Sequence, residues 1–326
     1  MEKAFAWKGS QNIKNSLKRF VPVIIFICMF AVLAVYNTNF LRPQSIANLL
    51  MQVSAVGVVA LGAMITLISG GIDFTAGYGL SLSGVAAGAI YGASGNNGVI
   101  LILSAVAIGA CVGLVNGVII TRLNLHPFIV TLAMMSVCQG MSTMIAEGKK
   151  IEITSEYLLE LGSGKLFGFL PFSFLTLMLI AFLMGAVMHR TRIGVYTYAM
   201  GGNEDAVIYS GINEKVYKTL VYVIAGVCYG IGAILSVSQV TVITPNISGT
   251  YLLDGIAAAV IGGTSLSGGK GKISGVIIGA FIIILITTLL TFLGVPSLLR
   301  DAVKGAIIIG ILLLDAFING VSLREN

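Results

Sequence analysis

Residues 67–88 read LISGGIDFTAGYGLSLSGVAAG: an apolar approach, a glycine pair, one aspartate and a run of small residues. Asp73 is the only charged side chain between Arg42 and Arg122. Charge is sparse throughout. Of 326 residues, 57% are hydrophobic and 10% charged, with a mean hydropathy of +1.00, whereas a soluble domain carries about 25% charged and 45–50% apolar residues. Most of this chain therefore has hydrocarbon as its solvent. Apolar runs of about 20 residues, enough for a helix to cross ~30 Å of bilayer core, recur at 20–36, 47–69, 74–93, 98–120, 127–146, 166–188, 217–239, 251–269, 273–293 and 302–319. No stretch alternates like a membrane barrel strand, so helices must satisfy the backbone polar groups. The expected fold is all-α: a polytopic membrane protein of about ten transmembrane helices forming one domain over 1–326. The first run follows basic residues without a small-residue cleavage site and reads as a retained helix, not a signal peptide.

Lysine and arginine placement sets the expected orientation, because cytoplasmic loops retain these residues. Ten crossings put both termini on one side. If that side is cytoplasmic, internal segments hold thirteen basic residues: Lys3, Lys8, Lys14, Lys18, Arg19, Arg122, Arg190, Arg192, Lys215, Lys218, Lys270, Lys272 and Arg324. The external side keeps five, Arg42, Lys149, Lys150, Lys165 and Arg300, with Lys304 inside a span. Both termini are thus expected in the cytoplasm, with 1–19 a cytoplasmic segment and 189–218 a long cytoplasmic loop. The net charge of +6 follows from topology and does not indicate nucleic-acid binding. Cys28, Cys111, Cys138 and Cys228 lie in apolar runs without paired spacing, which suits packing better than disulfides or metal ligation.

The opening motif returns late in the chain. GGIDFTAGYG at 70–79 matches GGTSLSGGKG at 262–271 at an offset of 192, and after a one-residue slip SGVAAGA at 83–89 matches SGVIIGA at 274–280. An internal repeat is expected, as in transporters whose pathways are lined by interrupted helices. Gly70, Gly71, Gly262 and Gly263 supply the backbone freedom and close approach such turns need. Asp73 reads as a helix cap accepting backbone N–H groups, or as an intramembrane ion or proton site. Asp254, the only charge from Thr219 to Gly269, poses the same choice between capping or gating and proton relay.

Catalytic signatures are missing. TSLSGGKG at 264–271 departs from the Walker pattern at Thr264 and Gly271, and His126 and His189 have no neighbouring ligand set in the sequence. A membrane-embedded enzyme would need clustered acids, histidines or a nucleophile–base pair. The loop 189–218, HRTRIGVYTYAMGGNEDAVIYSGINEKVYK, instead encodes one short helix. Asn203 can cap its start, Glu204 and Asp205 suit the dipole of its first turn, and Gly211 can close its end.

GGIDFTAGYGLSLSG, GLVNGVIITRLNLHPFIVTLAMM at 113–135, GGNEDAVIYSGI at 201–212 and YLLDGIAAAVIGGTSLSGGKG at 251–271 resemble the signatures of ribose-type ABC sugar importer permeases, in order and from about residue 40 to 315. Departures are mild, chiefly Phe74 and Thr75 where Leu and Ser are more usual. The resemblance implies a dimer of permeases, a homodimer in the simplest case, in a bacterial cytoplasmic membrane. It further implies a cytoplasmic ABC ATPase, which would hold ATP and Mg, and an extracytoplasmic sugar-binding protein; this chain would bind no cofactor or metal. Gly201, Gly202, Asn203, Glu204, Asp205, Ala206, Ser210, Gly211 and Ile212 would form the coupling helix. Selectivity would reside mainly in the binding protein, leaving the permease a polar, weakly attractive path. Asn116, Thr131, Gln139, Asn48 and Gln52 are the polar residues within spans that could line it, or could join helices by hydrogen bonds. The longest external segment, Glu147 to Lys165, carries Glu147, Glu152, Glu156 and Glu160 alongside Lys149, Lys150 and Lys165, and its mixed charges suit docking of a soluble partner.

Two other readings stay open on the residues alone. An ion-coupled secondary transporter would use Asp73 or Asp254, and a membrane scaffold subunit would need no substrate path. Neither requires the 189–218 loop.

Overall fold

The computed structural model describes residues 21–245 and 248–319. The segment 1–19, with its basic residues, and Arg324 lie outside them. The chain is a helical bundle: α1 Val21–Tyr36, α2 Pro43–Ile68, α3 Thr75–Ala93, α4 Gly98–Arg122, α5 Pro127–Ile145, α6 Glu156–Ser163, α7 Phe172–Arg190, α8 Arg192–Gly202, α9 Glu204–Tyr209, α10 Glu214–Val240, α11 Ser248–Ile261, α12 Ile273–Phe292 and α13 Ser297–Asn319. Among the described residues six helices, α2, α4, α5, α7, α10 and α12, are long and apolar enough to cross a membrane. Helices α1 and α11 are apolar but shorter.

Local chemistry sets the helix ends. Pro43 and Pro127 open α2 and α5, where a missing N–H and a fixed φ cost nothing. Asn97 caps α4 by accepting from Val99 N and Ile100 N at 3.0 and 3.3 Å, and Asn213 caps α10. Helix α2 runs through the centre of the bundle, packed by α7, α10, α11 and α12, and is almost wholly buried. Its hydropathy therefore serves packing more than contact with lipid. Along α4, Gly109, Gly113 and Gly117 recur every fourth residue. A Cβ at Gly109 would lie 2.2 Å from Gly226 O on α10, so these two backbones touch.

The turns gather at two ends of the bundle. At one, called here the Asp73 end, the segments 69–74, 191–213 and 262–272 meet. At the other, β1 (Ile151–Glu152) pairs antiparallel with β4 (Val242–Ile243), and β2 (Lys165–Leu166) with β3 (Leu170–Pro171).

Three expectations need correction, and one external segment proves to be structured. The apolar run 251–269 is not one helix: α11 stops at Ile261 and an irregular turn follows. The loop 189–218 holds two helices, α8 and α9, where one was expected. The external segment 147–165 is folded: it contains β1 and α6, with Gly162 packed on Ser238 O of α10. The repeat is shorter and in a different register. Gly70 N bonds Leu67 O and Gly71 N bonds Thr66 O; Gly263 N bonds Val260 O and Thr264 N bonds Ala259 O. These are the same helix-closing motif, and it aligns Gly70 (φ 84°) with Gly263 (φ 88°), one residue beyond the sequence match. SGVAAGA lies well inside α3 whereas SGVIIGA opens α12, so that part of the match has no common structural place.

Helix α10 also breaks. Thr241 takes a left-handed conformation (φ 55°) and the chain turns back along α3. Ile243 packs at Gly84 and Gly88, and Pro245 O accepts from Ser81 Oγ at 2.9 Å. Ser81 lies six residues past the start of α3, about 9 Å along it at 1.5 Å per residue. Non-helical backbone thus reaches deep into the bundle, where burial in protein makes it tolerable.

Candidate functional site

Asp73 sits in the turn from α2 to α3 and is 3% exposed. Its Oδ1 accepts from Thr75 N at 2.9 Å and from the Thr75 hydroxyl, and its Oδ2 accepts from the Tyr229 hydroxyl of α10 at 3.1 Å. Asn116 Nδ2 of α4 donates to Thr75 Oγ1 at 3.2 Å, and Thr131 Oγ1 of α5 donates to Ile72 O at 3.0 Å. The lone carboxylate thus organises the start of α3 and joins it to α10. Through Thr75, Asn116 and Thr131, helices α4 and α5 tie to the same turn. Asn116 and Thr131, read from the sequence as lining a path or joining helices, are fully buried here. Gly71 packs against the Tyr222 hydroxyl, where an added Cβ would approach to 2.4 Å.

The three glycine motifs of the sequence converge one layer further out. A Cβ on Gly201 would lie 1.7 Å from Ile68 O and 2.4 Å from Gly269 N; one on Gly268 would lie 2.6 Å from Gly201 O. Gly269 N donates to Ile68 O at 2.9 Å, and the Tyr198 hydroxyl of α8 donates to Gly271 O at 2.9 Å. Three backbones therefore touch without side chains between them. The end of α8 is keyed into both repeat-related turns at once.

Beyond this junction projects α9. Asn203 Oδ1 accepts from Ala206 N at 3.0 Å, and the helix closes with Gly211 N on Ile208 O and Ile212 N on Val207 O, Gly211 holding φ 74°. Glu204 bonds Lys218 Nζ of α10 at 2.6 Å, so α10 links this helix to Tyr222 and Tyr229 at the Asp73 turn. Sequence reasoning named the polar frame of α9 and missed its tip: Tyr209 is 88% and Ile208 44% exposed. Apolar side chains set on a short solvent-facing helix were the signal that could have found them.

Asp254 lies in the interior of α11 and caps no helix start. Lys304 Nζ of α13 bonds its two oxygens at 2.9 and 3.1 Å, and Asp301 lies 3.6 Å from the same Nζ. Both partners of the Asp254–Lys304 pair are buried. The sequence held the clue: a lysine inside an apolar run needs a buried anion. Gly262 meets Gly275 O, bringing α11 and α12 together. Among the described residues no cluster of three or more His, Cys, Asp or Glu side chains gathers as a metal site, and His126 serves as the cap of α5.

The other polar residues lie on surfaces. Gln139 shares with Ser136, Gly140 and Thr143 one face of α5, lining a groove of about 710 Å³ that ends at Glu147 and Gly148. Asn48 and Gln52 of α2 line a smaller cleft of about 210 Å³ with Thr287, Thr288 and Thr291 of α12.

Comparison with known proteins covers nearly the whole chain. Residues 45–312 match the family described as branched-chain amino acid transport system / permease component. The ribose import permease protein of Bacillus subtilis is 36% identical over 302 residues, 92% of this chain and 93% of that protein. The L-arabinose ABC transporter permease protein of Azospirillum brasilense is 31% identical (90% and 86% covered), as is the galactose/methyl galactoside import permease protein of Escherichia coli K12 (90% and 92%). No solved structure matches the chain. A bundle with six apolar membrane-length helices, a projecting capped helix and this match over most of its length make the chain a member of the transport-system permease family.

Proposed function

We propose that this permease is the membrane subunit of an ATP-driven ABC importer of a small sugar. The observation that carries the reading is α9, presented beyond the bundle directly after the end of α8, which is keyed by backbone contacts into two turns of the membrane domain. A subunit driven from outside needs such a lever. The relatives named for ribose, L-arabinose and galactose support a sugar as cargo. On this reading the chain crosses the bacterial inner membrane ten times with both termini in the cytoplasm, and the Asp73 end faces the cytoplasm. A separate ATPase holds ATP and Mg and hydrolyses the nucleotide; the permease itself performs no chemistry.

Two copies form the transporter. The stripe Ser136, Gln139, Gly140 and Thr143 supports this, because a polar helix face is poorly placed against lipid and well placed along a hydrated path between subunits. Asn48 and Gln52 with Thr287, Thr288 and Thr291 form a second polar surface that sugar could pass. An extracytoplasmic binding protein delivers the cargo, with Glu147, Glu152, Glu156 and Glu160 as its landing charges. Ion coupling has less support, since Asp254 is engaged by Lys304 and Asp73 by three donors. The test is co-purification from native membranes followed by uptake in proteoliposomes. A cytoplasmic ATPase should travel with the chain, and ribose, arabinose or galactose should enter on ATP. Uptake driven by an ion gradient without ATP would sink the proposal.

A further inference from the structure

The hairpin between α6 and α7 has no role in the transport reading, and its geometry is unusual. β2 and β3 are joined by a tight turn, with Phe169 N on Leu166 O at 3.4 Å, in which Phe167 and Gly168 both hold positive φ, 54° and 79°. Glycine or asparagine suits the first of these positions; a bulky aromatic there is an outlier. Phe167 is also 83% exposed and Phe169 52% exposed. An aromatic side chain that is both strained and bare to water is doubly unfavourable, and an outlier of this kind points to a contact.

The base of the hairpin is firm. Gly164 N donates to Glu160 O at 2.7 Å, Phe172 N to Gly164 O at 3.2 Å, and Lys165 Nζ to Gln44 Oε1 at 2.6 Å. The tip is therefore aimed. Its depth follows from α7, which begins at Phe172. Helix α7 presents Leu179, Phe182 and Leu183 outward on one face, the signature of contact with hydrocarbon. Phe182 lies ten residues below Phe172, about 15 Å at 1.5 Å per residue, which is half of a ~30 Å hydrocarbon core. The opposite end of α7 carries His189 and Arg190, residues that suit the other interface. With Phe182 near the midplane, the hairpin falls at the boundary between acyl chains and headgroups.

We propose that the 165–171 hairpin is an interfacial anchor, with Phe167 and Phe169 inserted among phospholipid glycerol and upper acyl groups on the side of the lipid-facing stripe of α7. Phenylalanine is among the apolar side chains that bury at the headgroup–acyl boundary. The occupant is lipid and not a soluble partner, because the exposed rings are apolar and stand immediately before α7, whose exposed side chains Leu179, Phe182 and Leu183 are apolar too, whereas the charged residues of 147–160 occupy the preceding segment. The proposal rests on the membrane placement of α7 and not on the identity of the cargo.

The chain has one tryptophan, Trp7, which makes a clean optical test possible. In full-length protein carrying Trp7→Phe and Phe167→Trp, reconstituted in phosphatidylcholine vesicles, the indole should emit blue-shifted from its position in water. Lipids brominated near the headgroup should quench it more strongly than lipids brominated near the chain end, and aqueous iodide should quench it weakly. A second variant, Trp7→Phe with Phe182→Trp, calibrates depth and should respond most to the deep bromines. Water-like emission at position 167 with strong iodide quenching overturns the anchor, as does shielding that appears only when a soluble binding protein is added. A water-like signal at position 182 would instead refute the membrane placement of α7 itself.

Discussion

Replacing Gly201 by alanine adds one methyl group where three backbones meet. That methyl would lie 1.7 Å from Ile68 O and 2.4 Å from Gly269 N; ordinary contact begins near 3.4 Å, so the gap must open by 3.4 − 1.7 = 1.7 Å. Neither neighbour is a side chain that can rotate away. Overpacking of this kind costs about 1–3 kcal/mol, and separating Gly269 N from Ile68 O removes a hydrogen bond worth about 0.5–1.5 kcal/mol. The combined penalty of roughly 2–4 kcal/mol is enough to shift a local docking equilibrium by about thirtyfold or more. It falls on the seating of α8, while α9 keeps its Asn203 cap, its Gly211 closure and its bond from Glu204 to Lys218. ATPase capture by Gly201→Ala membranes should therefore persist, and uptake should fall at least tenfold while ATP hydrolysis continues. Gly202→Ala is the internal control, since a Cβ there meets nothing within 4 Å. Wild-type uptake by Gly201→Ala at normal expression would refute the role assigned to the junction, as would equal defects in both variants.

At Gly211 an added side chain meets no neighbour, so the φ of 74° alone is at stake. Gly211→Val should strain the end of α9 by about 1–2 kcal/mol and weaken ATPase binding measured by pull-down, while Gly211→Asn should bind nearly normally. At Asp73, asparagine keeps an acceptor for Thr75 N and should retain most uptake, whereas leucine should lose about 1 kcal/mol or more at the start of α3; an inactive but assembled Asp73→Asn protein would show that the charge itself matters. Lys304→Met leaves Asp254 buried without its partner, a loss of about 3–5 kcal/mol readable as a lower melting temperature in detergent. The double variant Lys304→Met with Asp254→Leu should recover most of that loss, and failure to recover would mean the pair does more than neutralise charge.

The apolar runs were legible because hydrocarbon enforces a length and a composition that few other environments share; each run contains a helix, although among the described residues six helices are long and apolar enough to cross a membrane, and 166–188 and 251–269 are helical only in part. Asn203 and Gly211 were legible for a similar reason: caps are local, and each residue type carries its own backbone consequence. What escaped was relational. Asp254 and Lys304 are fifty residues apart, and only the packing of α11 against α13 brings them together. Gly201, Gly268 and Ile68 O meet through three separate turns, and the glycines alone do not say which backbones they admit. Asn116 and Thr131 could be read as path residues or as hydrogen-bonded links between helices, because polarity in a span has two uses and the sequence does not record which way a helix is rotated. The hairpin at 165–171 was hidden inside an apolar run, since Leu166, Phe167 and Phe169 extend the hydropathy of α7 without extending its helix.

The shortness of α11 bears on how the protein is made. Its fourteen residues reach about 21 Å as a helix, well under the ~30 Å of a bilayer core, and the strand β4 before it pairs its backbone with β1, a partner that lipid cannot replace. Released alone into the bilayer during synthesis, this segment has no stable resting place. It becomes tolerable only beside α2 and α3, where Gly255 meets Val59 and Pro245 O meets Ser81, and in company with α12. The first half of the polypeptide, already threaded and packed, thus acts as the receiving template for a piece of the second, and mutations lining that berth should betray themselves first in nascent-chain insertion and proteolytic turnover.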